Sequence, residues 1–132
     1  MSQENVEVVR QLFQLWERGE WGSGREFYDD GCEVVFSTSW FPDAGIYGVG
    51  REALDAWMAF IDAFEEFAVG LDQVVDAGER VVALVRLGAR GRASGAAVDA
   101  KVGAVFTLRD RKVVRWELTD RHEALEAAGL RE

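Results

Sequence analysis

The sequence predicts one α+β domain, with helices laid against one face of a curved antiparallel sheet and an apolar pocket between the two layers. Three observations predict it. Apolar residues recur at helical spacing through the first half of the chain, the apolar period changes to two in the second half, and the later strands are joined by links of a few residues. A chain of 132 residues, taken whole as 1–132, suits a single core.

Val6, Val9, Leu12, Phe13 and Trp16 share a face across residues 3–18, with Ser2 placed to cap the start and Arg18-Gly19 to close the end. A short helix over 25–28 stops at Asp29-Asp30-Gly31, and the β-branched, aromatic stretch 32–37 follows as a strand. Residues 38–50 hold the one proline and read as a loop, although it carries Trp40, Phe41 and Tyr47. A helix over 51–64 shows an apolar stripe of Leu54, Trp57, Met58, Ile61 and Phe64. Strands are expected at 68–76, 80–92, 98–109 and 112–119, with turns at Ala77-Gly78, residues 93–96 and Asp110-Arg111. A last helix over 122–128 ends at Gly129.

Composition narrows the function classes. Hydrophobic residues make up 48% and charged residues 30%, and five Trp with eight Phe supply aromatic area for a core or a ligand cavity. A formal charge of −9 repels nucleic-acid phosphates and anionic membrane surfaces. The one basic run, Arg86, Arg90 and Arg92, lies inside an apolar strand-like stretch. One cysteine excludes an intrachain disulfide, and one histidine with it falls short of a zinc ligand set. No cofactor is implied: residues 45–50 have the glycines of a phosphate loop without its Lys-Ser/Thr pair. The first residues lack the basic start and apolar stretch of a signal peptide, and no apolar run nears the roughly 20 residues of a membrane span, so a cytoplasmic location is expected.

Strand phase points to candidate residues. Ala100, Val102, Ala104, Phe106 and Leu108 share a face, as do Val114, Trp116 and Leu118, and both sets belong towards the helices. Asp120 continues the phase of Trp116 and Leu118. A carboxylate in that company is poorly solvated and suited to carrying protons; directly before a helix, it is also a favoured N-cap. Arg86 sits in a strand apolar on both faces and needs a partner, with Asp120 and Glu117 as candidates, for a structural ion pair or for anchoring a ligand oxyanion. Glu117 falls on the polar phase unless a bulge exchanges its face with that of Asp120. Trp40, Tyr47, Trp57 and Trp116 are the expected pocket walls, Trp57 being equally placed for plain core. Cys32 reads as a small buried hydrophobe and His122 as a surface residue.

The order of several stretches resembles the SnoaL-like branch of the nuclear-transport-factor-2-like superfamily, which also holds ketosteroid isomerase, scytalone dehydratase and limonene epoxide hydrolase. The resemblance covers nearly the whole chain. It runs from Glu4 to Trp16 into Phe27-Tyr28-Asp29-Asp30, then through Tyr47-Gly48 to Arg51-Glu52-Ala53-Leu54. It continues in Asp76-Ala77-Gly78-Glu79-Arg80-Val81 and Gly91-Arg92-Ala93-Ser94-Gly95, and closes from Asp120-Arg121-His122 to Gly129-Leu130. The resemblance implies a cone-shaped fold, a bent sheet wrapped around helices with a pocket at its wide end, and a homodimer formed through the outer sheet face. It implies activities from aldol-type ring closure to isomerisation, dehydration and epoxide hydrolysis, with Tyr47 a donor to a ligand carbonyl. The isomerases' first-strand aspartate is missing from Glu33-Val34-Val35-Phe36-Ser37. The hydrolases' arginine–aspartate pair is reduced to Arg86 with Gly88, leaving Glu117 and Asp120 for their second aspartate. The expected function is binding of a small apolar molecule, with cofactor-free acid–base chemistry by Asp120 and Arg86. The other reading is a non-catalytic binding or dimeric assembly module of the same fold.

Overall fold

Apolar residues spaced at three and four along Ser2–Glu17 form α1, which buries Val8, Val9, Leu12, Phe13 and Trp16. A 3-10 turn at Arg25–Phe27 leads into β1 (Tyr28–Phe36), and β2 (Gly45–Val49) pairs antiparallel with it. The helix α2 (Arg51–Asp62) carries the chain to β3 (Phe64–Ala77), after which β4 (Arg80–Gly91), β5 (Ala97–Arg109), β6 (Lys112–Asp120) and α3 (Arg121–Ala127) follow. The structure is a computed structural model that describes residues 2–36, 45–93 and 95–129.

The strands form one six-stranded sheet in the order β2-β1-β6-β5-β4-β3. From β3 to β6 it is the expected antiparallel meander. The sheet as a whole is mixed, because β1 runs parallel to β6. The reason is connectivity: α2 takes the chain from the β1–β2 edge to the far edge, and three hairpin reversals bring β6 back beside β1 in the same direction. Other boundaries also differ from expectation. β1 starts at Tyr28 and takes in Asp29-Asp30-Gly31, part of the 38–50 loop is the strand β2, and β3 starts at Phe64, which the helical stripe had claimed.

The main core lies between α1, α2 and the inner sheet face. Val81, Ala83, Val85 and Leu87 of β4, Val102, Ala104, Phe106 and Leu108 of β5, and Val113, Trp116 and Leu118 of β6 meet Leu12, Phe13, Trp16 and Trp57 there. Val113, and not Val114, takes the inward place, because the β5–β6 register shifts between Thr107 and Leu108 and leaves Val114 extra. From Trp116 onward the expected phase holds, with Trp116 opposite Phe106 and Asp120 opposite Val102.

The second apolar face of β4 has its own cover. Val82 and Leu84, with Val105 of β5, pack on the outside of the sheet against Ala124 of α3. Contact is close at Gly103, where an added Cβ would run into the Cβ of Ala124. Overpacking of this kind costs about 1–3 kcal/mol. Gly103→Ala is therefore expected to lower unfolding stability in urea by that amount, and adding Ala124→Gly to recover part of the loss; an unchanged midpoint in the single variant would count against this seating of α3.

Candidate functional site

The site starts from a mismatch between two parallel strands. Tyr28 pairs with Val113 and Glu33 with Arg115, so β1 takes five steps along the chain (28 to 33) where β6 takes two (113 to 115). The surplus, Asp29-Asp30-Gly31, is pushed out of the ladder as a bulge. Asp29 shapes it by accepting the Gly31 N–H on Oδ2 at 2.8 Å. Gly50, between β2 and α2, locks it from the other side. Its N–H donates to the Cys32 carbonyl at 2.6 Å, its φ is +64°, and a Cβ would meet the Asp30 carbonyl. Only glycine satisfies both conditions.

Behind the bulge is a cavity of about 310 Å³. Trp16 of α1, Trp57 of α2 and Trp116 of β6 form its floor, and Val34, Cys32 and Tyr28 of β1 its wall. The exposed side chains of Arg25, Asp29 and Asp30 stand at its mouth. The three indoles pack on one another with centroids 5.3 Å (Trp16–Trp57), 5.7 Å (Trp16–Trp116) and 4.8 Å (Trp57–Trp116) apart. Each is buried to within 3–4% exposure. Among the described residues, the indole N–H groups of Trp16 and Trp116 are buried and meet no acceptor. Such a donor costs about 1–3 kcal/mol unless something else satisfies it.

The wall groups are held neutral. Burial pushes the Cys32 thiol up to about 12, with the nearby Asp29 and Glu33 carboxylates adding to the effect. Burial also raises the Tyr28 phenol far above its ordinary value, helped by Cys32. The cavity therefore offers a phenol and a thiol that keep their protons, beside two carboxylates at the rim.

The SnoaL-like domain model matches residues 9–116. The chain belongs to the SnoaL-like domain family. No protein with a curated description matches it. Among solved structures, an NTF2-like protein from Burkholderia thailandensis superposes with a TM-score of 0.78 at 19% identity, covering 95% of this chain and 96% of that one. TerC co-crystallised with polyporic acid gives 0.74 at 15% identity over 95% and 97% of the two chains. A Catenulispora acidiphila protein with a ketosteroid isomerase-like fold, in complex with trimethylamine, gives 0.70 at 17% identity over 94% and 93%. At these identities the likeness is one of fold.

Within this SnoaL-like frame the residues singled out by the sequence separate. Trp57 and Trp116 come together in the cavity floor. Trp40 and the side chain of Tyr47 lie outside the described residues; the backbone of Tyr47 stands at the β1–β2 irregularity between Val34 and Val35. Arg86 is on the outer sheet face, where its Nε pairs with Asp72 at 2.7 Å, and Arg121 pairs with the same carboxylate at 3.1 Å. The expected pairing of Arg86 with Asp120 or Glu117 is thus replaced by one with Asp72. Alternation is the reason: Val85 and Leu87 point inward, so Arg86 points out. Glu117 shares the outer face and accepts from Arg115 at 3.3 Å. Asp120 is half-buried at the inward end of β6 beside Val102, but it does not line the cavity. It occupies the N-cap position of α3 with extended backbone, and its side chain makes no capping hydrogen bond.

Sequence reasoning missed Trp16 as a cavity residue, and with it Tyr28, Asp29, Asp30, Cys32 and Arg25. Trp16 was legible only as core, because helical spacing does not separate a core face from a cavity floor. The bulge carried a signal in Asp29-Asp30-Gly31, which reads equally as the close of a short helix.

The neutral wall sets an alkaline limit. A thiol raised in the fold from an ordinary value of 9.0 to about 12 stabilises the native state fully below pH 9, and that contribution is lost as pH rises from 9 towards 12. Tyr28 acts in the same direction from pH 10 upward. Stability is expected to fall between pH 8.5 and 10 with a slope approaching about 1.4 kcal/mol per pH unit from Cys32 alone. Urea midpoints across that range should be flatter in Cys32→Ala; parallel pH profiles would refute the assignment.

Proposed function

We propose that this SnoaL-like protein binds a compact, apolar small molecule bearing an oxygen acceptor in the tryptophan-floored cavity. The observation that carries the reading is the pair of indole N–H groups, on Trp16 and Trp116, buried in the lining without an acceptor among the described residues. A ligand oxygen reaching the floor would satisfy them, while the ring surfaces gain apolar contact. A volume of about 310 Å³ suits a ligand of two or three fused or linked rings at most. Small-molecule complexes of TerC and of the Catenulispora protein support the reading.

The neutral ketone 2-acetylnaphthalene serves as the probe. At a hundredfold excess over its Kd it is expected to raise the Tm by about 8 °C. Val34→Phe, which fills the cavity from β1, should abolish that rise while leaving the free protein folded. Absence of any shift with the native chain would sink the proposal.

Cofactor-free cyclase, isomerase or hydrolase chemistry is a finer reading, favoured by the Tyr28 phenol and the Asp29 and Asp30 carboxylates sharing one cavity. A phenol that keeps its proton can stabilise an enolate oxygen while a carboxylate takes the α-proton. Asp120 is the second candidate for that proton. Deuterium exchange at the methyl group of 2-acetylnaphthalene, followed by NMR, separates them. Loss of exchange in Asp120→Asn alone, with Tm retained, assigns the proton to Asp120; loss in Asp29→Asn or Asp30→Asn assigns it to the bulge. No acceleration over buffer by the native protein leaves binding as the whole function.

A dimeric assembly module is less well supported. The apolar outer positions Val82, Leu84 and Val105 are covered by the chain's own α3. Much of the remaining outer face carries ion pairs, among them Arg90–Glu66 and Arg86–Asp72. A homodimer through that face would be held by polar contacts.

A further inference from the structure

The mouth of the cavity carries a charge that a fold-level likeness does not supply. Asp29 and Asp30 both stand there because the β1 bulge, with no counterpart in β6, pushes them out of the ladder. Arg25 is the one cationic side chain among the described lining residues. Glu33, on the same strand, is already matched by Arg115 at 3.1 Å on the outer face. Among the described residues the mouth therefore has one negative charge in excess, two carboxylates against one guanidinium, on a chain whose formal charge is −9. Deeper in the cavity the described lining is Trp16, Trp57, Trp116, Val34, Tyr28 and Cys32, which offers no cation to receive an anion. Indole faces add to the bias, since their negative quadrupole favours cations and opposes anions.

We propose that the acidic bulge sets the charge of the ligand: the cavity takes apolar molecules that are uncharged, or that leave an amine in the mouth, and turns away carboxylates and phenolates of the same shape. This rests on the ligand-binding reading above and adds to it the chemical class of the occupant. Unit charges about 6 Å apart in a water-like medium interact weakly, by about threefold in binding for each pair. Two carboxylates and one opposing guanidinium then separate a cationic from an anionic ligand by about tenfold at low salt, and the separation shrinks as salt screens it.

Three probes that keep the ketone oxygen of 2-acetylnaphthalene and differ at ring position 6 read this by titration calorimetry at low ionic strength: the 6-aminomethyl, the 6-carboxamide and the 6-carboxylate (a naphthoate). The native protein is expected to bind the amine about tenfold more tightly than the carboxylate, with the amide between them. In the double variant Asp29→Asn/Asp30→Asn, Arg25 is the remaining charge among the described residues at the mouth, and the order should reverse. Asparagine at position 29 still offers an oxygen to the Gly31 N–H, so the bulge keeps its shape; an unchanged Tm checks this. Naphthoate binding as tightly as the amine to the native protein would overturn the proposal, as would an amine preference that survives the double substitution. If the amide, amine and carboxylate all fail to bind, the ligand-binding reading itself fails and this inference falls with it. If they bind alike, only the charge selection falls.

Discussion

Three indole rings hold the two layers of this protein together. Trp16 belongs to α1, Trp57 to α2 and Trp116 to β6, elements far apart in sequence that meet through these side chains. Phe36 and Phe106 extend the cluster, with centroids 5.7 Å and 6.1 Å from Trp116. Each buried indole removes about 200 Å² from water, worth about 5 kcal/mol of transfer free energy, and the tilted, edge-on contacts suit the ring quadrupoles. The cavity is what remains where the cluster ends and the β1 bulge begins. Its floor is therefore as rigid as the core, and its mouth is a short stretch of backbone held by one aspartate and one glycine.

That arrangement divides the sheet into two chemical environments. The inner face is apolar and closes on the indoles. The outer face is divided between α3 and surface ion pairs such as Arg86–Asp72, where the arginine side chain is 61% exposed and the pair contributes about 0–1 kcal/mol. An arginine between two apolar strand positions does not have to enter a pocket when a seven-residue helix covers the apolar half of the outer face on which it stands. Among the described residues, buried polar groups without a partner include the indole N–H groups of Trp16 and Trp116 beside the cavity and the Nε of Arg121 on α3.

Much of the fold was legible in the sequence, because period decides it. The α1 stripe, the inward set of β5 and the phase from Trp116 to Asp120 follow from spacings of 3.6 and 2 without tertiary information. Features made by strand partnership were not legible. Nothing local marks Val114 as the surplus residue of β6, or Asp29-Asp30-Gly31 as the surplus of β1, since a bulge exists only relative to a neighbouring strand. The parallel β1–β6 pair is of the same kind. Of the candidate site, Trp57 and Trp116 were therefore visible as pocket walls by their size and period, Trp16 read only as core, and the polar part was hidden because it stands on that bulge.

The pairing of β1 with β6 also orders events in time. Glu33 and Arg115 are 82 positions apart, and the cavity wall on β1 has no neighbour on that side until β6 exists. During synthesis, the β6 side of β1 gains its strand partner only after the whole β3–β5 meander, and Phe36 can meet Trp57 of α2 before Trp116 of β6 exists. Contacts this distant in sequence slow the folding of a chain, and the β1–β6 ladder is the longest-range strand pairing of the described sheet. The cavity is in this sense completed last, since Trp116 of β6 closes a floor whose other described lining residues all precede it by 59 positions or more.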